Sequence, residues 1–170
     1  MMSNVQHTTQ ISAPDWHFVL RHPAHFLAFG FGSGLSPVAP GTAGTLVAIP
    51  LYYALVVWLP MPLMYAVLIA ALVVGVWACD VTGRALGEVD YGGIVWDEIA
   101  AFFLVLAVTP ARPLWVLLAF VLFRLFDIWK PWPISWVDSR CKNAMGVMLD
   151  DVLAAVFTVL VIFSIQKWWS

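Results

Sequence analysis

The chain has 170 residues, 62% of them hydrophobic and 11% charged, with a mean hydropathy of +0.90. That is far more apolar surface than a soluble core of this size can hide, so a membrane is its natural solvent. A net charge of −2 and the lack of any Lys or Arg run leave no basic field for nucleic acid, which is excluded as a partner.

Residues 1–25 read as a variable cytoplasmic tail ahead of a single integral-membrane domain over residues 26–170. The tail carries all four histidines, His7, His17, His22 and His25. It has neither the basic opening nor the apolar stretch of a secretory signal, so the amino terminus is expected to stay in the cytoplasm. Next comes a run rich in small residues, Gly30 to Ser36 and Pro40 to Thr45. Its backbone N–H groups and hydroxyls suit a phosphate at a helix start. It is neither a dinucleotide fingerprint nor a Walker loop, because no Lys follows its glycines. Small-residue packing between membrane helices is the competing explanation, and on the residues alone it is the stronger one.

Between Arg21 and Asp80 there is no Asp, Glu, Lys or Arg, and Pro60-Met61-Pro62 divides that stretch in two. The predicted crossings are Thr45 to Leu59, with a kink at Pro50, and Leu63 to Cys79. Ile94 to Pro110, Leu114 to Trp129 and Asp151 to Trp168 follow, giving an all-α polytopic bundle of four to five spans. Counted from a cytoplasmic start, Arg21, Arg84, Arg124, Lys130, Arg140 and Lys142 fall inside and only Arg112 and Lys167 outside, as the positive-inside rule prefers. All ten carboxylates fall on the cytoplasmic side as well. Cys79 and Cys141 have neither CxxC nor zinc-site spacing and read as bystanders.

The later spans are short. The uncharged stretch Ile99 to Ala111 reaches across a hydrocarbon core of roughly 30 Å only if its helix takes in Asp97 and Glu98. By the same reasoning the next helix takes in Arg124 and Asp127. Ionisable groups at that depth usually face a polar interior and mark a functional site. Three acidic clusters, Asp97-Glu98, Asp127 and Asp150-Asp151, are therefore expected to meet at the inner face. There they offer the all-oxygen coordination that Mg²⁺ prefers. The plain alternative is that Asp97 and Asp150 each start an apolar helix as caps or dipole-compensating carboxylates. Arg124 and Asp127, three apart, share one helix face, with Lys130 a turn later. They form either an internal ion pair at the helix end or a set with Asp127 on a metal and the two cations on phosphate oxygens. Beyond them Pro131 and Pro133 stop the helix, so Trp132 and Trp136 are expected to lie along the interface.

What is missing narrows the chemistry. No histidine follows the first long span, Cys79 and Arg84 are one residue too close for a thiol-phosphatase loop, and no aspartyl-phosphate signature occurs. Metal-activated water is the remaining route. The stretches FGSGLSPVAPGTAGT, GGIVWDEIAAF, FRLFDIWKPWPI and GVMLDDVLA, in this order, resemble the phosphatidylglycerophosphatase A family from about Phe26 to Trp168. The resemblance implies Mg²⁺-dependent hydrolysis of phosphatidylglycerophosphate to phosphatidylglycerol and phosphate at the cytoplasmic face of a bacterial inner membrane. Carried onto this sequence, it implies acidic catalytic and metal positions at Asp97, Glu98, Asp127, Asp150 and Asp151. The substrate-binding positions it implies are Arg124, Lys130, Ser33, Ser36, Thr42 and Thr45. A reading of a different class is a membrane ion or lipid transporter that uses the same carboxylates as a cation site and releases no phosphate.

Overall fold

A computed structural model describes residues 13–169. Residues 1–12, which include His7 and about half of the expected tail, and Ser170 lie outside the described residues. The elements are α1 (Trp16–Leu20), α2 (Pro23–Ala28), a 3₁₀ segment (Gly30–Leu35), α3 (Pro40–Trp58), α4 (Met61–Leu86), α5 (Trp96–Val108), α6 (Pro113–Trp129), α7 (Ile134–Arg140) and α8 (Ala144–Trp169). Among the described residues there is no strand, in keeping with the expected all-α bundle. By length and composition α3, α4 and residues 144–168 of α8 are able to cross a membrane.

The short helix α5 lies at the centre, packed against α3, α4, α6 and α8. Ile99, Ala100, Ala101, Phe102, Phe103, Val105 and Leu106 are all buried, on every side of it. A helix that is apolar all round is driven into the core in this way. At 1.5 Å per residue its 13 residues cover about 20 Å. It is therefore shorter than a full crossing, and so is the expected span Ile94 to Pro110. The 17-residue α6 matches its expected bounds to within one residue.

Small residues let the neighbours approach α5. On α3 the buried stripe is Gly41, Gly44, Thr45, Ala48 and Tyr52, at the spacing of one helix face. A Cβ added at Gly44 would lie 2.8 Å from the Val95 Cβ, and one at Gly75 of α4 would lie 2.6 Å from the Trp96 ring. The Trp96 indole N–H donates to the Ala71 carbonyl at 2.9 Å, tying the start of α5 to α4. The packing reading of the glycine-rich run therefore holds.

Three expected boundaries are corrected. Helix α3 begins at Pro40, five residues before the predicted Thr45, because proline suits the first helical position; it then continues through Pro50. Helix α4 runs past Cys79 to Leu86, since Asp80 and Arg84 are an i,i+4 pair 2.8 Å apart on an exposed face and do not end it. Gly87, in the left-handed region at φ 74°, ends it, with the Glu88 N–H reaching back to the Gly83 carbonyl. Helix α8 starts at Ala144 instead of Asp151, and the Asn143 carboxamide oxygen accepts the Gly146 N–H at 2.8 Å as its cap. Asp150 and Asp151 thus sit inside the helix, and the reading of Asp150 as a helix cap falls.

Candidate active site

Four helix ends meet where the carboxylates are. Asp97 and Glu98 occupy the first turn of α5, Arg124 and Asp127 the last turns of α6, and Asp150 and Asp151 the second turn of α8. The amino end of α3 closes the group: a Cβ on Gly41 would lie 1.9 Å from Glu98 Oε1. All three acidic clusters predicted from sequence are therefore brought to one end of the bundle. Asp97, Asp150 and Asp151 are each only 4% exposed there.

The cations hold two knots of charge. Arg124 Nη1 donates to Glu98 Oε1 at 2.8 Å and pairs with Asp127 Oδ2 at 2.6 Å. The expected i,i+3 pairing of Arg124 and Asp127 is present, and Glu98 joins it from 26 residues away. Lys130 Nζ donates to Asp138 Oδ1 at 2.8 Å and also to Asp150 Oδ2. To do so Lys130 ends α6 with a left-handed backbone at φ 45°, which turns its side chain back over the cluster. A non-glycine residue in this region is uncommon, and such strain concentrates at functional sites. Ala39, just before α3, has φ 47° on the opposite flank.

Asp138, on α7, is the residue that sequence reasoning missed. The Lys130 ammonium beside it holds its carboxyl below the usual range, and Lys142 stands 3.5 Å away on its other oxygen. Burial alone would lower the Lys130 ammonium pKa, but hydrogen bonds to Asp138 and Asp150 more than offset that and raise it. Lys130 and Asp138 are separated by the Pro131 to Pro133 break, so no helical spacing rule links them. Trp132 and Trp136 are exposed on the same segment.

Five carboxylates, Asp97, Glu98, Asp127, Asp150 and Asp151, face two cations, Arg124 and Lys130. Among the described residues no Lys or Arg forms an ion pair with Asp97 or Asp151. Asp151 lies in the field of Asp127, Asp97, Glu98 and Asp150 together. Taking ionised groups out of water costs several kcal/mol each unless other charges compensate. Glu98 Oε2 and Arg124 Nε are also buried with no hydrogen-bond partner. An excess of buried oxygen donors with an orphaned carboxylate oxygen among them fits a hard divalent cation such as Mg²⁺ in its chemistry. Among the described residues, no three of the His, Cys, Asp and Glu side chains form a ready-made metal site, and Mg²⁺ commonly takes only one or two carboxylates with water and phosphate oxygens.

The hydroxyls are placed differently from the carboxylates. Ser33 Oγ donates to the Gly30 carbonyl at 2.9 Å, Ser36 Oγ to Val38 at 2.8 Å and Thr45 Oγ1 to Gly41 at 2.9 Å. These three shape the chain before and within α3. Thr42 is half-buried in the first turn of α3, beside Gly41, and α3 has no side-chain cap. Both cysteines are free, with Cys79 buried in α4.

The chain matches the profile of the family described as Phosphatidylglycerophosphatase A over residues 26–166. Phosphatidylglycerophosphatase A of Escherichia coli (strain K12) is 42% identical over 151 residues, which cover 88% of this chain and 87% of that protein. The Haemophilus influenzae protein of the same name is 44% identical over 150 residues, 88% of this chain and 92% of that one. A Bacteroides thetaiotaomicron protein, named provisionally as a phosphatidylinositol-3-phosphatase, is 38% identical over 146 residues, 82% of this chain and 90% of its own length. No solved structure matches.

Proposed function

The chain belongs to the phosphatidylglycerophosphatase A family, and from that premise we propose that it hydrolyses phosphatidylglycerophosphate to phosphatidylglycerol and phosphate, with Mg²⁺, at the cytoplasmic face of a bacterial inner membrane. The observation that carries the reading is the convergence of Asp97, Glu98, Asp127, Asp150 and Asp151 at one end of an apolar bundle. A lipid keeps its acyl chains in the bilayer while its terminal phosphate reaches that end.

Asp97, Glu98, Asp127, Asp150 and Asp151 are the residues to hold Mg²⁺. When bound, the cation offsets phosphate charge and activates water for attack. The protein's own groups do the rest. Arg124 and Lys130 exchange their carboxylate partners for phosphate oxygens, Arg124 through its fork of donors. The first N–H groups of α3, with the Thr42 hydroxyl, add donors beside Glu98. Thr45 holds that turn in shape, and Ser33 and Ser36 shape the chain that leads into it. Burial strengthens each of these interactions relative to water. The described histidines, His17, His22 and His25, all lie on α1 and α2 or the turn between them and not on the helices that carry the cluster, so none is assigned as a nucleophile.

Phosphate release from purified protein tests the reading. Phosphatidylglycerophosphate, phosphatidylinositol 3-phosphate, phosphatidic acid and a soluble phosphate ester are compared, each with Mg²⁺ and with EDTA. The expected result is Mg²⁺-dependent release that is fastest from phosphatidylglycerophosphate. Release from the inositol lipid alone would reassign the substrate. No release from any lipid would favour a transporter.

For topology we propose that α3, α4 and α8 cross fully, while α5 and α6, the former shorter than a full crossing, form a hairpin with Arg112 at its turn toward the outer face. In a background lacking Cys79 and Cys141, Arg112→Cys is expected to react with an impermeant thiol reagent from the periplasm and Lys142→Cys to be protected. The opposite pattern inverts the orientation.

A further inference from the structure

Lys130 is held by two carboxylates of different standing. Asp150, in the second turn of α8, is 4% exposed and adjoins Asp151 in the cluster. Asp138 belongs to α7, outside the five carboxylates, and accepts from Lys130 Nζ at 2.8 Å. It borders a separate hollow of about 270 Å³ with Asp90, Cys141 and Lys142, which the five carboxylates do not line. Resting on the lipid-phosphatase reading, we infer that Asp138 is a positioning residue: when Lys130 leaves a carboxylate for a phosphate oxygen, Asp150 is the one it leaves and Asp138 the one it keeps, so that the ammonium stays aimed at the cluster.

The mount of Asp138 is the first argument. Helix α7 packs along α8 with Ile134 fully buried, and the other Asp138 oxygen stands 3.5 Å from the Lys142 ammonium. Asp138 is thus oriented by a cation that is no part of the cluster. The second argument is the turn. Lys130 ends α6 at φ 45°, and the next residues, Pro131 to Pro133, are stiffened by two proline rings, with the Ile134 N–H on the Pro131 carbonyl at 2.8 Å. A lysine is a point charge on a flexible four-carbon stem, so its aim depends on what holds its end. The third argument is the count of donors and acceptors. An ammonium has three N–H groups, so a Lys130 that keeps Asp138 still has two for phosphate oxygens. Both oxygens of Asp150 are engaged, Oδ1 by the Asp151 N–H at 3.1 Å and Oδ2 by Lys130, and letting go of Lys130 frees it for its proposed place at the cation.

The experiment asks whether Asp138 acts through Lys130. Phosphate release from phosphatidylglycerophosphate by the full chain in mixed micelles with Mg²⁺ is measured for Asp138→Ala, Asp138→Glu, Lys130→Ala and the double alanine variant. Asp80→Asn, which breaks an exposed ion pair on α4, is the control. Asp138→Ala is expected to lower kcat about 10²-fold with KM within about threefold, the size of a loss from misplacing one group. Asp138→Asn, which keeps the side-chain shape, replaces it where the alanine does not fold. Asp138→Glu restores a charged acceptor and should recover kcat to within about tenfold of wild type. Because Asp138 works only through the ammonium, the double variant should match Lys130→Ala within about twofold. A lower Tm with wild-type kcat in Asp138→Ala, an Asp138→Glu as slow as the alanine, or losses that multiply in the double variant overturn the inference. The rate at which a water-soluble acylating reagent modifies Lys130, read by peptide mass spectrometry, needs no turnover. Losing one of two charge-assisted hydrogen bonds in Asp138→Ala should speed that modification about fivefold, while Asp80→Asn keeps the wild-type rate. An unchanged rate in Asp138→Ala overturns the inference. Wild-type protein that releases no phosphate contradicts the phosphatase reading, and the labelling rate then still decides whether Asp138 holds the ammonium.

Discussion

Asp97→Asn and Asp151→Asn are expected each to lower kcat/KM for lipid phosphate release by about 10²- to 10³-fold, or roughly 3–4 kcal/mol, the scale of losing one preorganised electrostatic contact. Both side chains are buried, and neither is ion-paired with a Lys or Arg among the described residues. Asparagine keeps the size of aspartate and, at position 97, can keep the oxygen that accepts the Glu98 N–H at 3.0 Å. What disappears is a negative charge. In metal-free protein a charge at either position would lie among the other carboxylates of the cluster and gain nothing from them, so both variants should melt no lower than wild type in EDTA. Mg²⁺ should then raise the wild-type Tm more than theirs, since a ligand stabilises only in proportion to its binding of the native state. Wild-type turnover with an unchanged Mg²⁺ shift in either variant would remove that residue from the cation site.

The residues within reach of a local rule were readable from sequence. The Arg124 and Asp127 pairing follows from i,i+3 spacing, and the inclusion of Asp97 and Glu98 in the first turn of α5 follows from how far an apolar helix must extend. Charge segregation along the sequence groups the same carboxylates on one side of the predicted spans. Contacts between elements were not readable: Glu98 with Arg124 across 26 residues, and Lys130 with Asp138 across a proline break. These depend on how α5 and α6 pack and on the left-handed turn at Lys130, which no periodicity encodes.

Helix ends failed for a related reason. Stopping a span at its first charge ended α4 too early at Cys79, because the Asp80 and Arg84 pair neutralises itself on an exposed face. Starting the last span at its final carboxylates put α8 a full seven residues late, because Ala144 to Leu149 had no charge to mark it and the cap is a single Asn143. The glycine-rich run suits either helix packing or phosphate binding on sequence alone. In the fold its glycines do pack, and Gly41 does so against the acidic site itself.

Gly41→Ala is therefore expected to cost about 10²-fold in turnover, although the residue has no functional group. The new Cβ would lie 1.9 Å from Glu98 Oε1 and 2.7 Å from its Cδ, so the carboxylate must move. Glu98 has little freedom, since Arg124 Nη1 holds the same oxygen at 2.8 Å and is itself bound to Asp127. Displacing it shifts all three groups, and a misplacement of about 1 Å is enough for a loss of that size. Crowding at such a contact also destabilises, by about 1–3 kcal/mol. Gly92→Ala is the control, because a Cβ there meets nothing within 4 Å. Shortening the partner supplies the decisive comparison. Gly41→Ala combined with Glu98→Asp draws the carboxylate back by one methylene, and the pair should be more active than Gly41→Ala alone. If Gly41→Ala turns over like wild type, or if the double variant is no better than the product of the two single losses, then Glu98 is not held against α3 in the working enzyme.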